Sequence, residues 1–288
     1  MRRLGLSCVL VAVFAGVVVR GSSIAGADPD AGWFSVHCKF SHARSDDPIK
    51  YPRDPGASHR HDFFGNVSTD AFSTFRSMVA ARSNCGLSKD TAGYWAPSLI
   101  APNGQPVEPS HFTAYFRNLP ASGRVHAFPP NFRMIAGGDT HHPPRIGDHD
   151  AAIGYNCLDS EPYRARLPNC RLDPKGTWVK AHVTFPNCWD GRHLDSPDHM
   201  SHVVYPVQGK CPRGHRVRLP RLSIHITYPI TNGKGYRLSS DLMGMRAGKS
   251  LHADFWNTWH QHRLRTLVQR CLAANVVCGE VTNAGINQ

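Results

Sequence analysis

Leu222-Ser-Ile-His-Ile-Thr-Tyr228 alternates apolar and polar residues one for one, the pattern of a strand with one face in a core and one outside it. Leu222, Ile224, Ile226 and Tyr228 are expected to point inward, and Ser223, His225 and Thr227 outward. His111 to Arg117 repeats the pattern, with Phe112, Ala114 and Phe116 inward, and so does Val179 to Phe185, with Val179, Ala181, Val183 and Phe185 inward. If these strands neighbour one another, His111, Tyr115, Arg117, Lys180, His182 and His225 line one basic groove suited to a polyanionic sugar chain; otherwise they form an ordinary solvated sheet face.

One segment has helical spacing instead. Leu264, Leu267, Val268, Cys271 and Leu272 follow the i, i+3, i+4, i+7, i+8 rule, which predicts a helix over about 254–275 with Asp254 as N-cap. Short strands joined by long, Pro-rich loops make up the rest. The fold class expected is therefore mainly β: an antiparallel β-sandwich-like single domain over 28–288, disulfide-stapled, with a C-terminal helix packed on it.

The chain opens with Arg2 and Arg3, an apolar run from Leu4 to Val19 and then Ala25-Gly26-Ala27, which reads as a signal peptide over 1–27 cleaved after Ala27. An uncleaved anchor is the rival, though the run is short for a bilayer span, so no stable membrane insertion is expected after cleavage. The implied location is secreted, extracellular or cell-wall associated. Cys8 leaves with the signal, and Cys38, Cys85, Cys157, Cys170, Cys188, Cys211, Cys271 and Cys278 remain. An even number in an oxidising compartment reads as four disulfides. Sequence alone does not choose among 105 pairings. The shortest loops favour Cys157–Cys170, Cys188–Cys211 and Cys271–Cys278, which leaves Cys38 with Cys85.

The full chain carries 33 Lys+Arg against 21 Asp+Glu, and the basic excess favours acidic partners. Export argues for polysaccharide, anionic or neutral, and against nucleic acid. No G-x-S-x-G elbow, H-E-x-x-H, P-loop or dinucleotide fingerprint is present, so the common hydrolase, zincin and nucleotide classes lack motif support.

Eighteen histidines cluster with aspartates, and imidazole beside carboxylate supplies either an oriented general base or a set of metal ligands. In an extended His59-Arg-His-Asp62, His59 and His61 share a face and can hold a metal or a substrate, or hydrogen-bond a loop. Asp195-Ser-Pro-Asp-His199 with His202 offers carboxylates and imidazoles in one short span, although Asp-Ser-Pro-Asp is also good turn chemistry. His252 and Asp254 share a face if extended. His141, His142 and His149 lie in the Pro- and Gly-containing stretch from Asp139 to Asp150, which reads as a divalent-metal site or a polar loop.

His59-Arg-His-Asp-Phe-Phe-Gly-Asn66, Tyr94-Trp-Ala-Pro-Ser98, Phe132-Arg-Met-Ile-Ala-Gly137, Phe185-Pro-Asn-Cys-Trp-Asp-Gly191, Asp195-Ser-Pro-Asp-His199 with Ser201-His202, and Cys211-Pro212 with His215 occur in this order. This set of motifs, over about 33–259, resembles DUF1996, a family of secreted fungal and bacterial proteins catalogued as a domain of unknown function. Some fungal relatives look like cell-surface proteins with glucan-binding-type modules, so the resemblance implies carbohydrate or cell-wall work. Its motifs coincide here with His59, His61, Asp62, Trp189, Asp190, Asp195, Asp198, His199, His202, His252 and Asp254, whereas the 139–150 stretch departs from the pattern.

The leading expectation is an enzyme acting on extracellular or cell-wall polysaccharide by hydrolysis or elimination. His61 is its base, with Asp62 orienting or assisting. Asp198, His199 and His202 complete the catalytic set, and His59, Trp189, Asp190 and His252 bind substrate. A glycosidase would instead pair Asp62 or Asp190 with Asp198. A non-catalytic basic binding module and a metal-dependent hydrolase are the alternatives.

Overall fold

A computed structural model describes residues 32–118, 124–138, 153–157, 163–172, 178–242 and 246–286. The expected signal peptide and the 139–150 stretch lie outside the described residues.

Two sheets form the frame. The larger runs Gly285–Ile286, Val277–Thr282, Trp33–Cys38, His111–Arg117, Arg221–Tyr228, Val179–Thr184 and Ile153–Asn156 from edge to edge. The smaller runs Phe40–Arg44, His61–Gly65, Gly93–Pro97, His252–Trp256 and Arg133–Gly137. Every pairing in these two sheets is antiparallel except Trp33–Cys38 with Val277–Thr282, which is parallel.

The alternating sequences explain the core. Phe112, Ala114, Phe116, Leu222, Ile224, Ile226, Val179, Ala181 and Val183 are all buried on one face of the larger sheet. Facing them are Phe64, Tyr94, Ala96, Met134, Ala253 and Phe255 of the smaller sheet. Phe64 stacks on Phe112 with ring centroids 4.4 Å apart, so the two inner faces interdigitate. The three strands singled out by their alternation are neighbours, and their outward residues do share a face. His182 departs from its expected exposure: it is fully buried, with Nε2 2.6 Å from Asn156 Oδ1 and the Tyr163 ring stacked on it.

The C-terminal helix holds the expected apolar positions but starts later than an Asp254 N-cap predicts. It runs Gln261–Leu267, continues as a π-helical turn Val268–Ala273, and buries Leu264, Leu267, Val268, Cys271 and Leu272. Asp254 is not its N-cap. It lies in the strand His252–Trp256, where Trp95 and Ile135 flank it in register, and His260 takes the cap position. The local capping signal lost to long-range strand pairing.

Four disulfides form: Cys38–Cys85, Cys157–Cys170, Cys188–Cys211 and Cys271–Cys278, the pairing that loop length favours. No helix among the described residues is long and apolar enough to cross a membrane. The formed disulfides fit an oxidising, extracellular setting.

Candidate functional site

The smaller sheet has a second apolar face. Phe63, Trp95, Ile135 and Trp256 form its floor, covered by Ile49 and Met78. Strand register then places polar groups beside it. His61 pairs with Pro97, and Phe63 with Trp95. Trp95 pairs in turn with Asp254, and two residues further along the same antiparallel register Pro97 stands opposite His252. His61 and His252 thus flank Pro97 across three strands, with Asp254 one row further on and on the same face.

The segment from Asp46 to His59 folds over this row. Asp46 anchors it, its carboxylate accepting from Gly56 N at 3.0 Å and Ala71 N at 3.1 Å. Its backbone carbonyl accepts from His61 Nδ1 at 3.0 Å. Asp47 Oδ1 accepts from the backbone N–H groups of Ile49 and Lys50, both at 3.0 Å. The result is a cavity of about 190 Å³ whose lining includes Asp47, Lys50, His59, Asp198, His252 and Asp254. Gly137 and Gly138 complete one wall at positive φ. A Cβ on Gly137 would stand 2.5 Å from the Leu251 carbonyl oxygen, so only glycine lets the chain pass this close. Gly137→Ala is therefore expected to cost at least about 1–3 kcal/mol of stability, read by urea denaturation. An unchanged midpoint would contradict that account.

His59, His61 and His252 converge here, each offering a nitrogen, all within 4.8 Å of one another. The tautomers follow from the hydrogen bonds. His61 donates from Nδ1 to Asp46, and His252 donates from Nδ1 to the Ser250 carbonyl at 2.8 Å. Both Nε2 atoms therefore carry lone pairs, and they face each other at 3.4 Å. His59 Nε2 is buried without a hydrogen-bond partner. A second group, Asp47, His61 and Asp254, meets the same distance limit. Asp254 is fully buried, and neither carboxylate oxygen has a partner.

Burial dominates the electrostatics of this group. It pushes His59 down to about 3, with His252 and Lys50 adding to the effect, and His252 down to about 4. It holds His61 well below the ordinary imidazole value. The same desolvation raises Asp47, and raises Asp254 well above the usual carboxylate range with help from Asp47. The imidazoles are neutral at pH 7 and available as donors.

A folded-state pKa below the unfolded value means that the unfolded chain binds more protons, so stability held above about pH 6.5 is lost as the pH falls toward the folded values. The raised carboxylates act in the opposite sense, so the histidine contribution is isolated by comparison with a variant. His252→Gln is expected to lose less stability than the parent between about pH 7 and about pH 4.5 in urea titrations. Equal losses would count against a neutral, desolvated His252.

The other sequence-derived residues are placed elsewhere or at the rim. Asp62 alternates with His61 in the strand and points to the opposite face, where Ser98 Oγ donates to it at 2.6 Å. Burial raises it to about 6. The expected His61–Asp62 pair is thus not made, because neighbours in a strand face apart, and the Asp46 carbonyl orients His61 instead.

The segment 194–202 seals the sheet edge: Arg133 N donates to the Leu194 carbonyl at 2.9 Å and Ile135 N to that of His199 at 3.1 Å. His202 is buried and bonds through Nε2 to the Arg133 carbonyl at 2.7 Å. His199 Nδ1 bonds Asp195 at 2.8 Å. Asp198 reaches the cavity wall. Burial works against its charge, but hydrogen bonds from Ser196, Ser201 and Met200 hold it below the usual range.

Trp189 ends the short strand Cys188–Trp189 and Asp190 opens the turn after it, the indole donating to the His193 carbonyl at 2.6 Å and the Asp190 carboxylate accepting from the backbone N–H groups of Arg192 and His193. Asp47 and Lys50 were not singled out from sequence. Asp47 sits in an Asp-Asp-Pro run that reads locally as a turn.

No curated protein and no solved structure matches the chain. A family model described as a domain of unknown function (DUF1996) matches residues 47–259, a span that contains all three converging histidines and both buried aspartates. The chain belongs to that family.

Proposed function

We propose that this is a secreted enzyme acting on extracellular or cell-wall polysaccharide by metal-assisted hydrolysis or elimination, with the cavity over the smaller sheet as its active site. The observation that carries the reading is the convergence of His59, His61 and His252, with the Nε2 lone pairs of His61 and His252 facing each other, beside a cavity lined by His59 and His252. Two unprotonated nitrogens at hydrogen-bonding distance with no proton between them repel unless an acceptor of lone pairs sits there.

A bound divalent ion supplies Lewis-acid polarisation of an oxygen in the bond to be broken. The chain's own groups do the rest. Lys50, exposed at the cavity lining, pairs with an anionic substituent of the substrate. Asp198, ionised on the wall, is placed to accept a hydrogen bond from a substrate hydroxyl. At about 190 Å³ the cavity is smaller than the ~300–1,000 Å³ of pockets that enclose a drug-sized ligand. It fits an ion and one functional group, and the remainder of a polymer lies across the surface.

The test is turnover of neutral and uronate-containing polysaccharides by chelator-treated protein before and after adding back divalent ions. New reducing ends without a chromophore mark hydrolysis; an unsaturated uronate chromophore marks elimination.

A second observation favours a non-catalytic binding module. On the outer face of the larger sheet, Tyr163, His182, His225 and Tyr115 follow one another with ring centroids 4.5, 4.1 and 4.6 Å apart, and Arg117 lies 5.1 Å over Tyr115. His182 is buried beneath Tyr163, so the half-exposed Tyr163, His225 and Tyr115 are the rings that suit contact with sugar, and Arg117 suits attraction to polyanions. In that case polymer binds, binding fades with salt, and no panel member is turned over.

A further inference from the structure

The geometry points to a tetrahedral, zinc-class ion held by the Nε2 atoms of His59, His61 and His252, with the buried carboxylates Asp254 and Asp47 balancing its charge. This deepens the reading of the cavity as a metal-assisted site by naming the ligand set and the class of ion.

The first argument is distance. Zinc binds imidazole at about 2.0–2.1 Å. Two such bonds at a tetrahedral angle place their nitrogens about 3.3–3.4 Å apart, whereas a right angle gives about 2.9 Å. His61 Nε2 and His252 Nε2 stand 3.4 Å apart. The pair is spaced for a tetrahedron and is too wide for adjacent corners of a square or octahedron at the same bond length.

The second argument is the shell behind the ligands. Metal-bound imidazole donates its other N–H to a carbonyl or carboxylate, which fixes ring and tautomer. Here the Asp46 and Ser250 carbonyls do so, and both lie on backbone held by other bonds. Asp46 is fastened through its own side chain, and the Ser250 hydroxyl donates to Asp241 at 2.6 Å. The His61 and His252 rings are thus pre-oriented without an ion.

Charge supplies the third. A buried carboxylate with no partner is costly and rare, yet Asp254 keeps both oxygens unpartnered beside His61 and Asp47. A dication beside two carboxylates removes that cost, and three imidazoles leave one tetrahedral position open, as catalytic zinc sites require. Calcium and magnesium are disfavoured because they take oxygen ligands. Cys38, Cys85 and Asp90 also cluster, but that pair of cysteines is a disulfide and offers no thiolate.

The experiment is calorimetric titration of the chelator-treated, disulfide-intact protein with Zn2+ alone, and of a parallel sample with Co2+ followed by visible absorption. Expected are one equivalent of zinc, the intense d–d bands of four-coordinate cobalt, and no comparable binding of Mg2+ or Ca2+. His59→Ala, a change in a half-buried loop residue, should weaken zinc at least about 100-fold, and Asp254→Asn about 10–100-fold, the range for lost supporting groups. His193→Ala, at an exposed turn away from the cavity, should leave binding unchanged.

Zinc affinity unaffected by both His59→Ala and His252→Ala, a weak six-coordinate cobalt spectrum, or preference for Mg2+ or Ca2+ would overturn the assignment. Because the readout is binding, its failure is separable from that of the functional reading. Zinc bound as described with no polysaccharide turned over would leave the site standing and remove the proposed activity.

Discussion

His252→Ala is expected to lower turnover by roughly 10³-fold while the chain still folds. An ion that polarises the scissile bond contributes several kcal/mol to the transition state, and about 4 kcal/mol corresponds to roughly a thousandfold in rate. His252 is half-buried, and its side chain makes one bond to its own neighbourhood, from Nδ1 to Ser250. Its strand is held by pairing on both sides, with Gly93–Pro97 and Arg133–Gly137. Loss of the ring should therefore leave the sheet intact. The partner experiment is Asp62→Asn. Adjacent to His61 in sequence but on the opposite face, Asp62 should be dispensable for turnover, and the amide should be tolerated because burial already disfavours its charge. Turnover by the two variants, each normalised to folded protein by circular dichroism, checks both statements. Equal losses would contradict the assignment of faces.

Removing the Cys38–Cys85 bridge by a double alanine substitution is expected to destabilise the fold by about 4 kcal/mol, the chain-entropy value for a loop of this length. The bridge closes a separation of 47 residues, against 7 for Cys271–Cys278, for which the same relation gives about 2.4 kcal/mol. The consequence for the site is direct. Residues 39–84 contain the 46–59 segment and the strand His61–Gly65, which carry Asp47, His59 and His61. A loss of about 4 kcal/mol is a large part of a marginal folding free energy, so the yield of folded protein should fall as well. Urea midpoints of the two double variants measure the ordering. A Cys271/Cys278 variant less stable than the Cys38/Cys85 variant would contradict it.

The sandwich was legible because its inner strands repeat with a period of two, and that period has one physical cause, alternate side chains on opposite faces. Phe112, Ala114 and Phe116, or Leu222, Ile224 and Ile226, need no distant information to be assigned inward. The disulfide pairing agrees with the loop-length preference, which rests on closure entropy, although sequence alone left 105 pairings open. The site was legible only in part. His59 and His61 share a face by that periodicity, but His252 joins them through Pro97 on a strand far away in sequence, and no local spacing encodes strand order. Asp254 misled because an aspartate before an apolar helix looks like an N-cap, while its real neighbours, Trp95 and Ile135, come from other strands.

Density of Asp and His in 195–202 misled in the other direction. Carboxylates and imidazoles are also what an irregular segment uses to satisfy backbone groups: His202 bonds the Arg133 carbonyl of the edge strand and Asp195 accepts from Ser196 N, while Asp198 is the one carboxylate or imidazole of this span that lines the cavity. Composition cannot separate the two uses.

X-ray diffraction from a crystal of the zinc-loaded protein, with data on both sides of the zinc absorption edge, tests the central claim most directly. An anomalous peak about 2.0–2.1 Å from the Nε2 atoms of His59, His61 and His252 is the predicted result. A cavity without a peak, with the ion bound at some other group of residues, would contradict it.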